Sequence, residues 1–225
     1  MNERMRPSDA PQTAGSLADL VRMGLRIRTD EEIAMTELKE RRAAAGEVLA
    51  RLPDFVRTPE PPKLLEQVRD EGLKGAASRW LPERGSLLLL GPTSRGKSSA
   101  AAYCFRRVLG RGVTYGGEAW AYALRLRWFH ANQLERARIE HPLGKDEAPA
   151  IREACRATLL VLDDAGWERD TSAVSTVLAE RYESGLPTIL TSFHDRAGLS
   201  DHYGAAVVRR LVEAGGHRVT IVEAA

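Results

Sequence analysis

Residues 87 to 99 read LLLLGPTSRGKSS, and this stretch decides the fold. Four leucines run into a loop bounded by Gly91 and Gly96, and Lys97-Ser98 opens an alanine-rich segment. Gly91-Pro92-Thr93-Ser94-Arg95-Gly96-Lys97-Ser98 fits G-x-x-x-x-G-K-[ST]. The context fits as well: a strand-like run before the loop and a helix former after it. The glycines let backbone amides turn inward as an anion nest, and the new helix adds its positive N-terminal dipole. Lys97 is expected to reach the β- and γ-phosphates of ATP. The Ser98 hydroxyl is expected to hold Mg²⁺, with Ser99 beside it at the nucleotide.

Outward from the loop, apolar runs alternate with helical ones. The strand-like runs are residues 86–90, 125–131, 157–164, 186–192 and 217–223. Helical stretches such as KSSAAAYCFRRVL and VSTVLAERYES separate them. That alternation predicts an α/β fold with a parallel sheet covered on both faces.

The second chemical signal is TLLVLDDAG, residues 158 to 166. In a phosphate-loop fold this apolar strand lies beside the first, so Asp163 and Asp164 at its C-terminal end face the same phosphates. One carboxylate can orient the Mg²⁺ shell and the other can polarise the attacking water. Paired acids at this point favour hydrolysis over transfer to a small acceptor.

Upstream, residues 1–15 are polar and read as a tail. Residues 16–52 read as a helical N-terminal region, with Ser16–Asp19 and Thr29–Glu32 as helix-start signals. Leu17, Leu20, Val21 and Leu25 would share one helical face. Ile33 and Met35, with Val48, Leu49 and Leu52, would line a second. Four prolines within residues 52–63 exclude a continuous helix and mark residues 53–62 as a linker. Residues 63–225 form the expected core.

The chain has 225 residues with a formal net charge of +2, which selects no partner by itself. Cys104 and Cys155 lack metal-ligand spacing. The first fifteen residues lack the apolar core of a signal peptide, and no apolar run approaches the roughly 20 residues of a membrane span. A cytoplasmic protein with no membrane contact is the expectation. Between the two motifs, Arg106, Arg107, Arg111, Arg125, Arg127, Arg136 and Arg138 interleave with Tyr115, Trp120, Tyr122 and Trp128. Arginine neutralises phosphate and aromatic faces stack on bases, so single-stranded DNA is an expected partner through Arg111, Arg125 and Arg136. Gly110, Gly112, Gly116 and Gly117 suggest a mobile loop in this region.

LLVLDDAG, LAERYESGLPTILTSF and HYGAAVVRRLVEAGGHRVTIV together resemble the DnaC/IstB group of AAA+ ATPases. Those are bacterial replicative-helicase loaders and transposition helper ATPases. The resemblance covers about residues 83 to 223. It implies a five-stranded AAA+ core without a C-terminal helical lid, with Asp163 on the magnesium side and Asp164 catalytic. It implies that Thr191-Ser192 ends the sensor strand. The family usually has Asn next where this chain reads Phe193-His194, so Ser192 or His194 is the expected substitute. It also implies that Arg210, or Arg209 beside it, reaches the γ-phosphate of a neighbouring subunit, which makes hydrolysis depend on a homo-oligomer. The implied partner is a replicative helicase, or a transposase for the transposition helper. A small-molecule kinase and a nucleotide-gated adaptor are the rival readings.

Overall fold

The computed structural model describes residues 29–224, apart from residue 143 and residues 213–218. The expected tail and the Ser16–Asp19 helix start lie outside the described residues. Two compact units divide the chain, Met1–Lys39 and Glu40–Ala225. The described part of the first is residues 29–39, which begin helix α1 (Asp30–Ala50). The expected helix start is there: the Thr29 amide donates to Glu32 Oε2 at 3.1 Å, and the Glu32 amide donates to Thr29 Oγ1 at 3.2 Å. Each side chain satisfies an amide that the first helical turn leaves without a partner. Ile33 and Met35 do not line a packed face, being 43% and 71% exposed.

The second unit is built on a five-stranded parallel sheet: β1 (Ser86–Leu90), β2 (Leu126–His130), β3 (Leu159–Ala165), β4 (Thr188–Ser192) and β5 (Val219–Glu223). The spatial order is β2-β3-β4-β1-β5. All five expected strands are present. Successive strand residues point to opposite faces, and here both faces are dry. Leu87 and Leu89 join Val161 and Ile189 in one core, whereas Leu88 and Leu90 join Leu160, Leu162 and Leu190 in the other. That is why the strand is an unbroken leucine run.

The proline stretch is not a free tether. It folds into α2 (Asp54–Arg57) and α3 (Pro61–Glu66), with Val56 and Leu64 fully buried. Pro61 and Pro62 sit in the first turn of α3, where a missing N–H costs nothing. Proline therefore starts a helix here rather than forbidding one. Helix α4 (Glu71–Arg79) and a single 3₁₀ turn (Pro82–Arg84) lead into β1.

After the phosphate loop, α5 runs unbroken from Lys97 to Tyr115, and α6 covers Gly117–Ala123. The expected mobile glycine loop is thus helix. Gly110 and Gly112 lie inside α5, and a Cβ on Gly112 would stand 2.5 Å from the Ala123 Cβ, so glycine lets α6 pack directly on α5. The remaining helices are α7 (Ala131–Ile139), α8 (Pro149–Arg156), α9 (Ser172–Glu183), α10 (Arg196–Tyr203) and α11 (Ala205–Val212). No described helix is long and apolar enough to cross a membrane.

Candidate nucleotide and metal site

The site lies at the C-terminal ends of β1, β3 and β4. The loop after β1 is held by its neighbours. The Gly91 amide donates to the His194 carbonyl at 3.2 Å, and the Arg69 amide donates to the Arg95 carbonyl at 3.1 Å. Gly96 has φ +92°, and a Cβ there would meet the Val68 Cα at 2.7 Å, so a side chain is excluded twice over. Ser99 Oγ donates to Gln67 Oε1 at 3.1 Å, tying α5 to the same turn. Pro92, Thr93, Ser94 and Arg95 are exposed at the rim.

Lys97 is buried, and its Nζ donates to the carbonyls of Gly91 at 2.7 Å and Pro92 at 2.5 Å. Burial lowers its pKa, while Asp164 and then Asp163 act the other way. Ser98 Oγ donates to Asp163 Oδ1 at 2.8 Å, and Thr191 Oγ1 donates to the same oxygen at 2.6 Å. One carboxylate oxygen thus ties β1's loop, β3 and β4 together. The other oxygen, Oδ2, is buried and has no hydrogen-bond partner. An ionised carboxylate that is 1% exposed with one oxygen unmet is costly unless a cation arrives. Burial is the main cause that raises the Asp163 pKa. Asp164 pushes in the same direction, and the hydroxyls of Thr191 and Ser98 oppose it.

Adjacent residues of a strand normally point to opposite faces. Here β3 departs from regular pairing with β4 between Leu162 and Ala165, and Asp164 takes φ +55°. The irregularity swings Asp164 to the side of Asp163, and the Thr191 hydroxyl accepts its amide at 3.0 Å. His130, at the tip of β2, meets both acids: its Nδ1 stands 3.6 Å from Asp163 Oδ2 and 3.7 Å from Asp164 Oδ2. These are ion-pair separations, too long for direct hydrogen bonds. Asp164 is the main influence raising the His130 pKa, burial opposes it, and Asp163 adds to the rise. His130, Asp163 and Asp164 each offer a ligand atom, all within 4.8 Å of one another. With Ser98 alongside, this oxygen-rich set suits a hard divalent cation such as Mg²⁺.

His130 and Thr191 were not among the expected site residues. For Thr191 the signal was the TS pair ending β4, and alternation sends its two hydroxyls to opposite sides. Thr191 takes Asp163. Ser192 is fully buried, donates to the Ala165 carbonyl at 2.6 Å and accepts the His194 amide at 3.1 Å. Its hydroxyl therefore anchors the chain. His194 stacks on Phe193 at 4.0 Å between ring centroids and packs against Gly166.

The other expected residues fall elsewhere. Arg209 and Arg210 are exposed on α11. Arg210 borders a cleft with Ser86, Thr188 and Val219, which begin their strands, so it stands at the opposite end of the sheet from the phosphate loop. Arg111 pairs with Glu83 at 3.4 Å on α5, Arg136 is exposed on α7, and Arg125 precedes β2. Arg111 lines one cleft and Arg125 a different one, and Arg136 lines neither. Arg106 and Arg107 are structural: Arg106 donates to the carbonyls of Val56, Arg57 and Pro59, and Arg107 to those of Ala77, Ser78 and Trp80.

No protein-family profile matches the sequence, and no curated protein matches it. Among solved structures the chain is similar to DnaI at 18% identity and TM-score 0.53, over 74% of this chain and 95% of that one. It is similar to a candidate primosome component from Streptococcus pyogenes serotype M3 at 19% identity and TM-score 0.51, over 81% and 97%. It is similar to AMPPCP-bound DnaA from Aquifex aeolicus at 19% identity and TM-score 0.50, over 77% and 50%. These likenesses, with the sheet order, establish the fold: an α/β core on a parallel five-stranded sheet of order β2-β3-β4-β1-β5, with a glycine-bounded loop between β1 and α5.

Proposed function

We propose that this chain is an ATPase of the helicase-loader kind, hydrolysing ATP between subunits and acting on a replicative helicase and single-stranded DNA. The observation that carries the ATPase reading is Asp163: fully buried, held by Ser98 and Thr191, with one oxygen left for a cation. Ser98 and Asp163 would hold Mg²⁺, which supplies Lewis-acid charge at the phosphates. Lys97 binds the β- and γ-phosphates. Asp164, 52% exposed at its side chain, accepts the proton of the attacking water, and His130 fixes the orientation of that carboxylate. Arg210, with Arg209 beside it, stands at the far end of the sheet from its own phosphate loop, which supports a role at the phosphate of another copy, where a cation would stabilise transition-state charge. The AMPPCP bound to the similar DnaA supports nucleotide binding, and the similar primosome component supports a replication role. The helicase and DNA rest on the sequence resemblance and the exposed arginines. The helical N-terminal region is the proposed helicase contact.

The test is ATP turnover against protein concentration, with and without single-stranded DNA, beside Lys97→Ala. The expected result is specific activity that rises with concentration, grows with DNA and disappears in the variant. Flat activity indifferent to DNA overturns the trans-arginine and DNA parts together. A nucleotide-gated adaptor is the second reading, favoured by the commitment of the Ser192 hydroxyl to backbone. It predicts tight ATP binding with scant turnover.

A further inference from the structure

A cleft of about 260 Å³ opens at the N-terminal ends of β2 and β3, and four arginines line it: Arg125, Arg127, Arg152 and Arg156. Glu153 is the one acid in its wall. Strand β3 is seven residues long, so the cleft lies roughly 20 Å from the phosphate loop at the other end of the sheet. No lysine lines it. Guanidinium, unlike ammonium, presents a planar fork that meets two oxygens of one phosphate at once.

Two of the four guanidiniums already spend some of their donors on neighbouring groups, which fixes their positions. Arg125 Nη2 donates to the Arg156 carbonyl at 2.8 Å. Arg127 Nη1 donates to the carbonyls of Leu124 at 3.2 Å and Leu126 at 2.9 Å, while its Nε meets Glu153 at 2.9 Å. The other two stand four residues apart on α8, exposed on one helical face. Like charges at that spacing oppose the helix by a few tenths of a kcal/mol. Arg152 has only a loose pairing with Asp146 at 3.8 Å, to a side chain that is 94% exposed. Four cations against one lining acid leave a surplus of three positive charges around a volume that suits a phosphate group.

We infer that this arginine cleft is a phosphate-binding site that takes the backbone of single-stranded nucleic acid. It rests on the nucleic-acid part of the reading above and extends it to a face of the sheet remote from ATP. The wall carries no aromatic side chain, so contact is to phosphate alone and does not read sequence. Of the arginines expected to contact DNA, Arg125 belongs to this cleft, whereas Arg111 and Arg136 lie outside it.

The test is binding of fluorescein-labelled dT20 by the full chain, with saturating AMPPCP and Mg²⁺ so that the phosphate loop is filled. Wild type is compared with Arg152→Gln/Arg156→Gln and with Arg156→Gln alone, each checked for an unchanged thermal melt. The double variant should bind at least about tenfold more weakly, and its log K against log salt should flatten by about 1.4, with about half that change in the single variant. Unchanged affinity and slope overturn the site. Competition by poly-glutamate as effective as that by unlabelled dT20 overturns the choice of nucleic acid and indicates an acidic protein. Loss of inorganic tripolyphosphate binding with dT20 binding kept overturns it in favour of a free phosphate ligand. ATP turnover plays no part in these readouts, so a flat concentration dependence in the ATPase assay leaves this result standing.

Discussion

Two charges are buried to the same depth in this molecule, and they could not be treated more differently. Arg181 on α9 and Asp163 on β3 are each 1% exposed. Arg181 spends its donors on fixed acceptors: the Thr188 hydroxyl and the carbonyls of Ala154, Cys155, Ala157 and Pro187. Asp163 has two donors on one oxygen and none on the other. Burial alone therefore does not mark a functional charge. The distinguishing feature is what remains unsatisfied. Arg181 staples the foot of the sheet, and Asp163 is left with one buried oxygen unmet.

The sharpest way to break that comparison is to remove each charge and read stability and turnover separately. Arg181→Met removes a donor from five neutral acceptors, and each buried polar group left unsatisfied costs about 1–3 kcal/mol. For a chain of this length the thermal midpoint should fall by about 10 °C or more, read by circular dichroism. AMPPCP affinity of the folded fraction should hold. A melt unchanged within a degree would remove Arg181 from the structural side of the comparison.

Asp163→Asn should do the reverse. The amide oxygen still accepts from Ser98 and Thr191, so the fold keeps its links and loses a buried charge. Turnover should fall at least about a hundredfold, or roughly 2.7 kcal/mol, because the proposed cation site loses its anionic ligand. The pH dependence carries a sign. The Asp163 pKa is raised in the fold, so the folded state binds more protons than the unfolded one between the ordinary carboxylate value and the raised value. Without divalent cation, wild type should therefore lose stability relative to Asp163→Asn as pH rises through that window. With Mg²⁺ the gap should close. A variant that melts lower than wild type at neutral pH without cation would contradict this account.

His130→Ala comes next in size, at about tenfold in turnover, near 1.4 kcal/mol. In the proposed site the imidazole orients the acids and Asp163 carries the charge, so the loss is smaller than at Asp163. Its pKa is raised by Asp164, so its stabilising contribution is present below about 6.5 and is lost as pH rises through the raised value. Melts of wild type and variant without divalent cation should differ most near pH 6 and converge at higher pH. A constant difference across that range would point to packing rather than charge.

The sequence made some of this comparison legible and hid the rest for identifiable reasons. The leucine run, the glycine-bounded loop and the aspartate pair are local patterns, and they led to the sheet, the phosphate loop and the second acidic strand. His130 was hidden because a strand tip becomes a site only through pairing, here His130 opposite Asp163. Thr191 and Ser192 were told apart only by which face of β4 each takes. Arg106 and Arg107 read as part of a basic region, yet they reach back some thirty to fifty residues to cap carbonyls around short helices. The proline stretch read as a tether because proline's absence of N–H was weighed in a helix interior, not at a helix start. The misses at His130, Thr191, Arg106 and Arg107 concern contacts between distant residues, whereas the proline stretch was misread locally.

The smallest expected effect lies beside the unsatisfied charge, in the backbone that presents it. Asp164 holds φ +55°, a conformation that costs a side-chain-bearing residue about 1–2 kcal/mol. Asp164→Gly removes that strain but adds unfolded-state freedom of about 0.5–1 kcal/mol. The difference leaves a net gain of about half a kcal/mol, or a rise of one to two degrees in the melt. Turnover should meanwhile be lost, since the proposed proton acceptor is gone. Asp164→Ala loses the same carboxylate without relieving the backbone, so it should melt below Asp164→Gly. Equal melts for the two would mean that the turn is not strained, and that the irregularity in β3 costs nothing to hold both acids on one side.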